Sequence, residues 1–219
     1  MRQVRTFLCL LMVALHLIPG VAAAQSGSAG LTKLLLAFEG GSGRPVAESL
    51  AEGARVLLGR NVVVENKPGA SGRIAAMALK RAAPDGTTLA QFPIVVPVIA
   101  PMSFKDVQYT ARDFVPISQI ATYDLALAVP VAHPARSVPE LAEWLRKNPS
   151  QSFYGSPGAG TLPHFLGVMI GKTVQIDMTH VAYKGVAPMK IDLVEGTIPC
   201  GISVVSDLVD MHRAGRIRI

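Results

Sequence analysis

Apolar and polar positions fall along this chain in two alternating kinds of block. Leu34–Phe38, Val62–Glu65 and Thr87–Gln91 are short apolar runs of strand length. Between them lie two segments with the 3.6-residue period of a helix, Pro45–Leu58 and Arg73–Ala82. In the first, Val46, Leu50, Ala54 and Leu57 share one face, and Pro45 suits the first helical turn. Gly59 stops that helix, and the "PDG" at 84–86 closes the second with a turn. An order of strand, helix, strand, helix, strand predicts a parallel sheet with helices on its faces.

Residues Phe92–Asp113 are rich in proline and read as a crossover. The alternation then resumes. Phe114–Ala121 and Leu125–Val129 read as strands, and Ser137 with Glu140 forms an S-x-x-E capping box for a helix through Arg146. Ser152–Tyr154 is a strand, and Leu162, Phe165, Leu166, Met169 and Ile170 recur as one helix face. Asp177–Ala182, Ala187–Glu195, Ile198–Ser203 and Val205–Ala214 continue as strand, helix, strand, helix, with a last strand in "RIRI". Gly196 and Gly215 stand where helix ends favour a left-handed residue. The fold class is α/β, in a first unit at 25–113 and a second at 114–219.

The amino terminus has a different character. Arg2 and Arg5 precede an apolar stretch, Phe7–Ile18, and Ala22-Ala23-Ala24 places small residues before Gln25. This is the pattern of a cleavable signal peptide over 1–24, and it predicts export to the periplasm. Cys9 lies inside the apolar stretch, too early for a lipid-bearing cysteine. Cys200 is then the one cysteine of the mature chain, and its setting, "TIPCGISV", reads as a buried strand. The charge is 21 − 15 = +6, and scattered Lys and Arg residues argue against a nucleic-acid partner.

Chemistry concentrates in three glycine-rich loops, "EGGSGRP", "KPGASG" and "GSPGAGT". Gly41-Ser42-Gly43 follows a strand and opens a helix, and Glu65 ends the next strand, as a dinucleotide site would require. The third glycine is replaced by Val46, and an exported chain meets little nicotinamide cofactor. No Walker motif and no G-x-S-x-G elbow is present. His133, His164, His180 and His212 have no second ligand at helical spacing, so no metal and no cofactor are expected. A simpler account fits the loops at Gly40 and Gly158. A glycine loop feeding a helix exposes backbone N–H groups at the positive end of the helix, where they bind a carboxylate or phosphate. Ser42, Ser156 and Thr161 add hydroxyls. "KPGASG" either lines the same cleft or merely starts a helix.

Four stretches in order, "VVVENKPGASGRIAA", "APDGTTL", "YGSPGAGTLPHFLG" and "THVAYKGVAPMKIDLVEG", resemble the Bug, or TctC-like, solute receptors of tripartite tricarboxylate transporters. The resemblance runs from about Leu31 to Ile219. It implies a type II periplasmic binding-protein fold, two doubly wound α/β domains with a ligand cleft between them. It implies a small organic carboxylate as ligand, membrane permease subunits as partners, and a monomer. It also implies ligand contacts at Gly40, Gly41, Ser42 and Gly43, at Ser156, Gly158, Ala159, Gly160 and Thr161, and at His164 and Ser203. Two acids usual in such receptors are replaced, by Pro45 and Ser203, which disfavours amino-acid ligands. A further stretch of chain normally returns to complete the first domain, so that domain is expected to be incomplete and marginal here.

The expected function is therefore capture of a carboxylate, with no catalysis. Two other classes remain open. One is an exported hydrolase using Ser156 with His164 or His180, which needs a serine–base pair backed by an orienting acid. The other is a receptor subunit that reports ligand to a signalling kinase.

Overall fold

The computed structural model describes residues 30–219 except Glu39. The signal peptide read at 1–24 lies outside the described residues. Within them the chain forms two sheets joined in sequence by residues 92–124.

The first sheet has three parallel strands in the order β2-β1-β3: β1 (Thr32–Leu36), β2 (Val62–Asn66) and β3 (Thr88–Gln91). Leu34 stands opposite both Val64 and Leu89, so the central strand is the apolar one. Helix α1 (Gly43–Leu58) covers Leu34 and Leu36 through Ala47. Helix α2 (Arg73–Arg81) contributes Ala75 and Ala76 to a second cluster with Ala37, Val95, Val96 and Tyr109. The large residues expected on the buried face of α1 are not there. Leu57 is 82 % exposed and Leu50 is exposed, whereas Ala47 is fully buried. The helix packs by its small residues, which lets it lie close to the sheet.

From β3 the chain makes a π-type turn (Val95–Ile99), whose Val95 and Val96 join the first sheet's cluster, and then a short helix α3 (Ala100–Ser103). The strand expected at Phe114–Ala121 does not form. Residues 114–124 pair with nothing regular, and Val115 is 89 % exposed. Pro116 lacks the N–H that a ladder needs, and only Phe114 packs, edge-on to Phe92 and Tyr109.

The second sheet has five strands in the order β6-β5-β7-β4-β8. They are β4 (Leu125–Pro130), β5 (Phe153–Ser156), β6 (Thr179–Ala182), β7 (Gly201–Val204) and β8 (Ile217–Arg218). β5 runs parallel to β6 and β7, while β4 is antiparallel to β7 and β8. Helices α4 (Val138–Lys147) and α5 (Leu162–Val174) flank one core of Leu141, Leu145, Tyr154, Cys200 and Ile202. Helices α6 (Val186–Glu195) and α7 (Val205–Arg213) flank the other, with Met189, Leu193, Leu208 and Ile217. The capping box forms in altered form: Ser137 accepts from the Glu140 N–H, but the Glu140 carboxylate takes the N–H of Arg136. Gly196 and Gly215 are left-handed as expected. Cys200 is fully buried, and burial pushes its thiol up to about 12, so it is a core residue without reactivity.

Candidate functional site

Each glycine loop sits where a strand of one sheet runs into a helix. The first, after β1, carries Gly40 and Gly41 in left-handed backbone and leads into α1 at Ser42. The second, after β5, runs from Ser156 through a left-handed Gly160 to Thr161, whose hydroxyl caps α5 by accepting from the His164 N–H. Gln91 at the end of β3 donates to the Gly43 carbonyl and holds the first loop from below.

The two sheets meet across these loops. The Ser42 N–H donates to Asp207 Oδ1 at 2.7 Å, and the Ser206 hydroxyl donates to that of Ser42 at 2.9 Å. A side chain at Gly41 would come within 2.8 Å of Asp207 Oδ1, and one at Gly40 within 3.3 Å of the Ala187 side chain. The starts of α1, α6 and α7 therefore converge on one point, and helix starts favour negative charge. On the other side, Ser71 donates to the Ala159 carbonyl at 2.5 Å, and Gly160 faces the Phe104 ring, 2.5 Å from where a Cβ would stand.

"KPGASG" thus both reaches the second glycine loop and starts a helix. Ala70 and Ser71 are two successive non-glycine residues in left-handed backbone, a conformation that costs free energy and is held by its surroundings. It is what turns the Ser71 hydroxyl across to the second sheet.

The floor of the second loop is a closed polar network. Ser156 is fully buried; its hydroxyl lies 2.7 Å from His180 Nε2 and donates to the Gly158 carbonyl at 3.1 Å. The Thr161 hydroxyl donates to the same carbonyl. His164 Nδ1 accepts the Gly160 N–H, which puts the His164 proton on Nε2. Its ring lies 4.1 Å from that of His180. Burial first, and then the neighbouring His164, pull His180 down to about 4, and burial lowers His164 as well. Both rings are neutral at pH 7, so the loop presents dipoles rather than cations. Among the described residues no acceptor meets the N–H groups of Ala159 and Thr161 in the second loop, nor those of Gly40, Gly41 and Gly43 in the first.

The structure therefore sets Gly40, Gly41 and Ser42 against the starts of α6 and α7 in the five-stranded unit, and Gly158, Ala159 and Gly160 against Ser71 and Phe104 of the other. His164 lies behind the second loop, with its Nδ1 spent on Gly160. Ser203 is buried and donates to Asp207 Oδ2 at 3.0 Å, so it positions that acid rather than facing the cleft itself. The sequence reading missed Ser71, Phe104, Ser206 and Asp207. Only Asp207 left a trace, as an acid in the first turn after a strand. Glu65, the acid considered for a ribose, is instead paired with Lys67 and Lys33, which lower its pKa. Among the described residues no cluster of histidine, cysteine and acids could hold a metal.

A family model described as the tripartite tricarboxylate transporter family receptor matches residues 46–219. A UPF0065 protein of Bordetella bronchiseptica is 30 % identical over 97 % of this chain and 63 % of its own length. The protein BugT of Bordetella pertussis is 26 % identical over 82 % of this chain and 56 % of its own. Among solved structures, a periplasmic transporter superposes with a TM-score of 0.80 at 31 % identity, covering 86 % of this chain and 64 % of its own. An R. palustris protein solved with adipate gives 0.78 at 28 %, with coverages of 86 % and 64 %. The periplasmic binding protein BugD gives 0.71 at 26 %, with 85 % and 63 %. The chain spans less than two thirds of the length of these relatives.

Proposed function

This chain belongs to the tripartite tricarboxylate transporter family of receptors, and on that premise we propose that it is an exported solute-binding protein for a small organic carboxylate. The observation that supports this reading is that both glycine loops lie where the two units touch, each bonded to the opposite unit, and that Ala159 and Thr161 have no acceptor for their N–H groups among the described residues. Backbone N–H groups at helix starts hold a carboxylate without a lysine or arginine. The adipate in a relative of 28 % identity supports the ligand class. Closure of the two sheets around the ligand is the change that permease subunits of the membrane would read. Cleavage after Ala24 and residence in the periplasm belong to the same proposal, as do the domain limits 25–113 and 114–219, a monomeric state and the absence of catalysis. Thermal-shift screening of the purified protein against C2 to C6 mono-, di- and tricarboxylates tests it. Saturable stabilisation by at least one acid is expected, and no shift with any of them would sink the reading.

One observation favours a second reading. Ser156 and His180 are at hydrogen-bond distance, as a nucleophile and its base would be. His180 has no carboxylate bonded to it among the described residues, its pKa near 4 makes it a weak base at neutral pH, and Ser156 is fully buried. Ester turnover that disappears in Ser156→Ala would favour the hydrolase.

A further inference from the structure

Among the described residues, Asp207 is the acid whose carboxylate meets the backbone of the first glycine loop, while Glu48 pairs with the Arg44 side chain. Its Oδ1 takes the Ser42 N–H at 2.7 Å and its Oδ2 takes the Ser203 hydroxyl at 3.0 Å. Ser203 is fully enclosed, so the second contact fixes the carboxylate from the five-stranded side while the first reaches the three-stranded side. A Cβ on Gly41 would touch the same oxygen, which means that Asp207 fills the space directly in front of that loop. Among the described residues, no lysine, arginine or histidine forms an ion pair with it. A negative charge with no cation partner therefore occupies an amide that a ligand carboxylate would otherwise use. The Ser156–Thr161 loop is different. Its polar partners include His164 and His180, and among the described residues no carboxylate bonds to it.

We infer that Asp207 determines ligand specificity, giving the cleft one carboxylate-accepting end and one end that rejects carboxylates and accepts donors. The ligand's carboxylate is taken at Ala159 and Thr161. Its other end meets Asp207, where a second carboxylate is repelled at close range in a partly dry cleft and an ammonium or hydroxyl group is attracted. The favoured class is then an ω-amino or ω-hydroxy monocarboxylate rather than a dicarboxylate. This replaces the expectation, drawn from Pro45 and Ser203, that amino-bearing ligands are disfavoured, because Asp207 supplies an acid to the same cleft one helical turn beyond Ser203. The inference rests on the carboxylate-receptor reading.

The test is calorimetric titration of the purified protein and of D207N and D207S with two pairs matched in chain length, glutarate against 4-aminobutyrate and adipate against 5-aminopentanoate. Circular dichroism and melting first establish that the variants fold. The parent is expected to favour the amino acid of a pair at least tenfold. Both variants are expected to lose that preference, with tighter diacid binding and weaker amino-acid binding. Binding that persists with the preference unmoved by D207N and D207S overturns the role of Asp207 and leaves the receptor reading standing. Binding of none of the four acids by parent or variants, together with no shift in the wider carboxylate screen, overturns both.

Discussion

In the five-stranded unit the large side chains with almost no exposed surface are Tyr154, Leu145, Met189, Leu193, Ile202, Leu208 and Ile217; in the three-stranded unit they are Leu35 and Val96, with the alanines Ala47, Ala75 and Ala76 beside them. The difference is energetic. Full burial of a leucine or methionine side chain stabilises by roughly 1.5–3 kcal/mol, and an alanine methyl contributes far less. On the second unit Met169 and Ile191 stand in water, and on the first unit Leu57 and Val56 do. Both of its outer strands, β2 and β3, have one unpaired edge among the described residues. The two units thus carry similar loops on unequal supports. The five-stranded unit holds the Ser156–Thr161 loop on a rigid base, while the three-stranded unit is the softer jaw.

The largest expected effect that separates the units is on stability. Leu208→Ala should cost about 2–5 kcal/mol, as truncation of a fully buried leucine does, whereas Leu57→Ala should stay within about 0.5 kcal/mol. Urea unfolding measures both, and comparable costs would dissolve the contrast. Amide exchange should follow the same division, with β5, β7 and α6 protected more than β1 and α1. Faster exchange in the five-stranded unit would reverse it.

The next effect concerns the loops. Gly160→Val places a branched side chain at a φ of +72° and 2.5 Å from the Phe104 ring. Carboxylate affinity should fall at least tenfold, or about 1.4 kcal/mol or more, while Gly53→Ala, in open space on α1, should leave affinity unchanged. Ser156→Ala removes one neutral hydroxyl and should weaken binding by only about 1 kcal/mol. Calorimetric titration reads all three, and equal losses in the last two would disconnect the loop from the ligand.

The fourth expectation concerns pH. His180 has a folded pKa near 4, below the 6.5 of an ordinary histidine. Between those values the unfolded chain binds the proton that the folded one refuses. Stability should therefore be full above about 6.5 and decline as the pH falls toward about 4. Melting curves of the parent and His180→Gln would show the decline reduced in the variant; parallel curves would remove His180 as its cause.

The alternation of runs and helical periods made most elements legible, because a strand-length apolar run between glycine turns has few other solutions. Both families of loop were legible for the same reason, as glycines between a strand and a helix. Three features were not. The buried face of α1 was read from its bulky residues, but close packing on a short sheet selected Ala47. Phe114–Ala121 has the composition of a strand, yet Pro116 and the absence of a neighbouring strand leave it extended and unpaired. The cross-cleft groups Ser71, Phe104 and Asp207 depend on which loops of the two units face each other, and no local pattern encodes that. Ser71 in particular reaches Ala159 only because two successive residues adopt left-handed backbone, which no glycine announces.

The proposed ligand site lies between the two glycine loops. Residue-resolved amide exchange, with and without a saturating concentration of the acid giving the largest thermal shift, tests it most directly. The added protection is expected to centre on Ser42–Gly43 and Ala159–Thr161, with weaker protection at Ser71. Protection centred elsewhere, for example on the concavity of about 410 Å³ between Pro45, Val46, Ser49, Leu50 and Ile120, would contradict it.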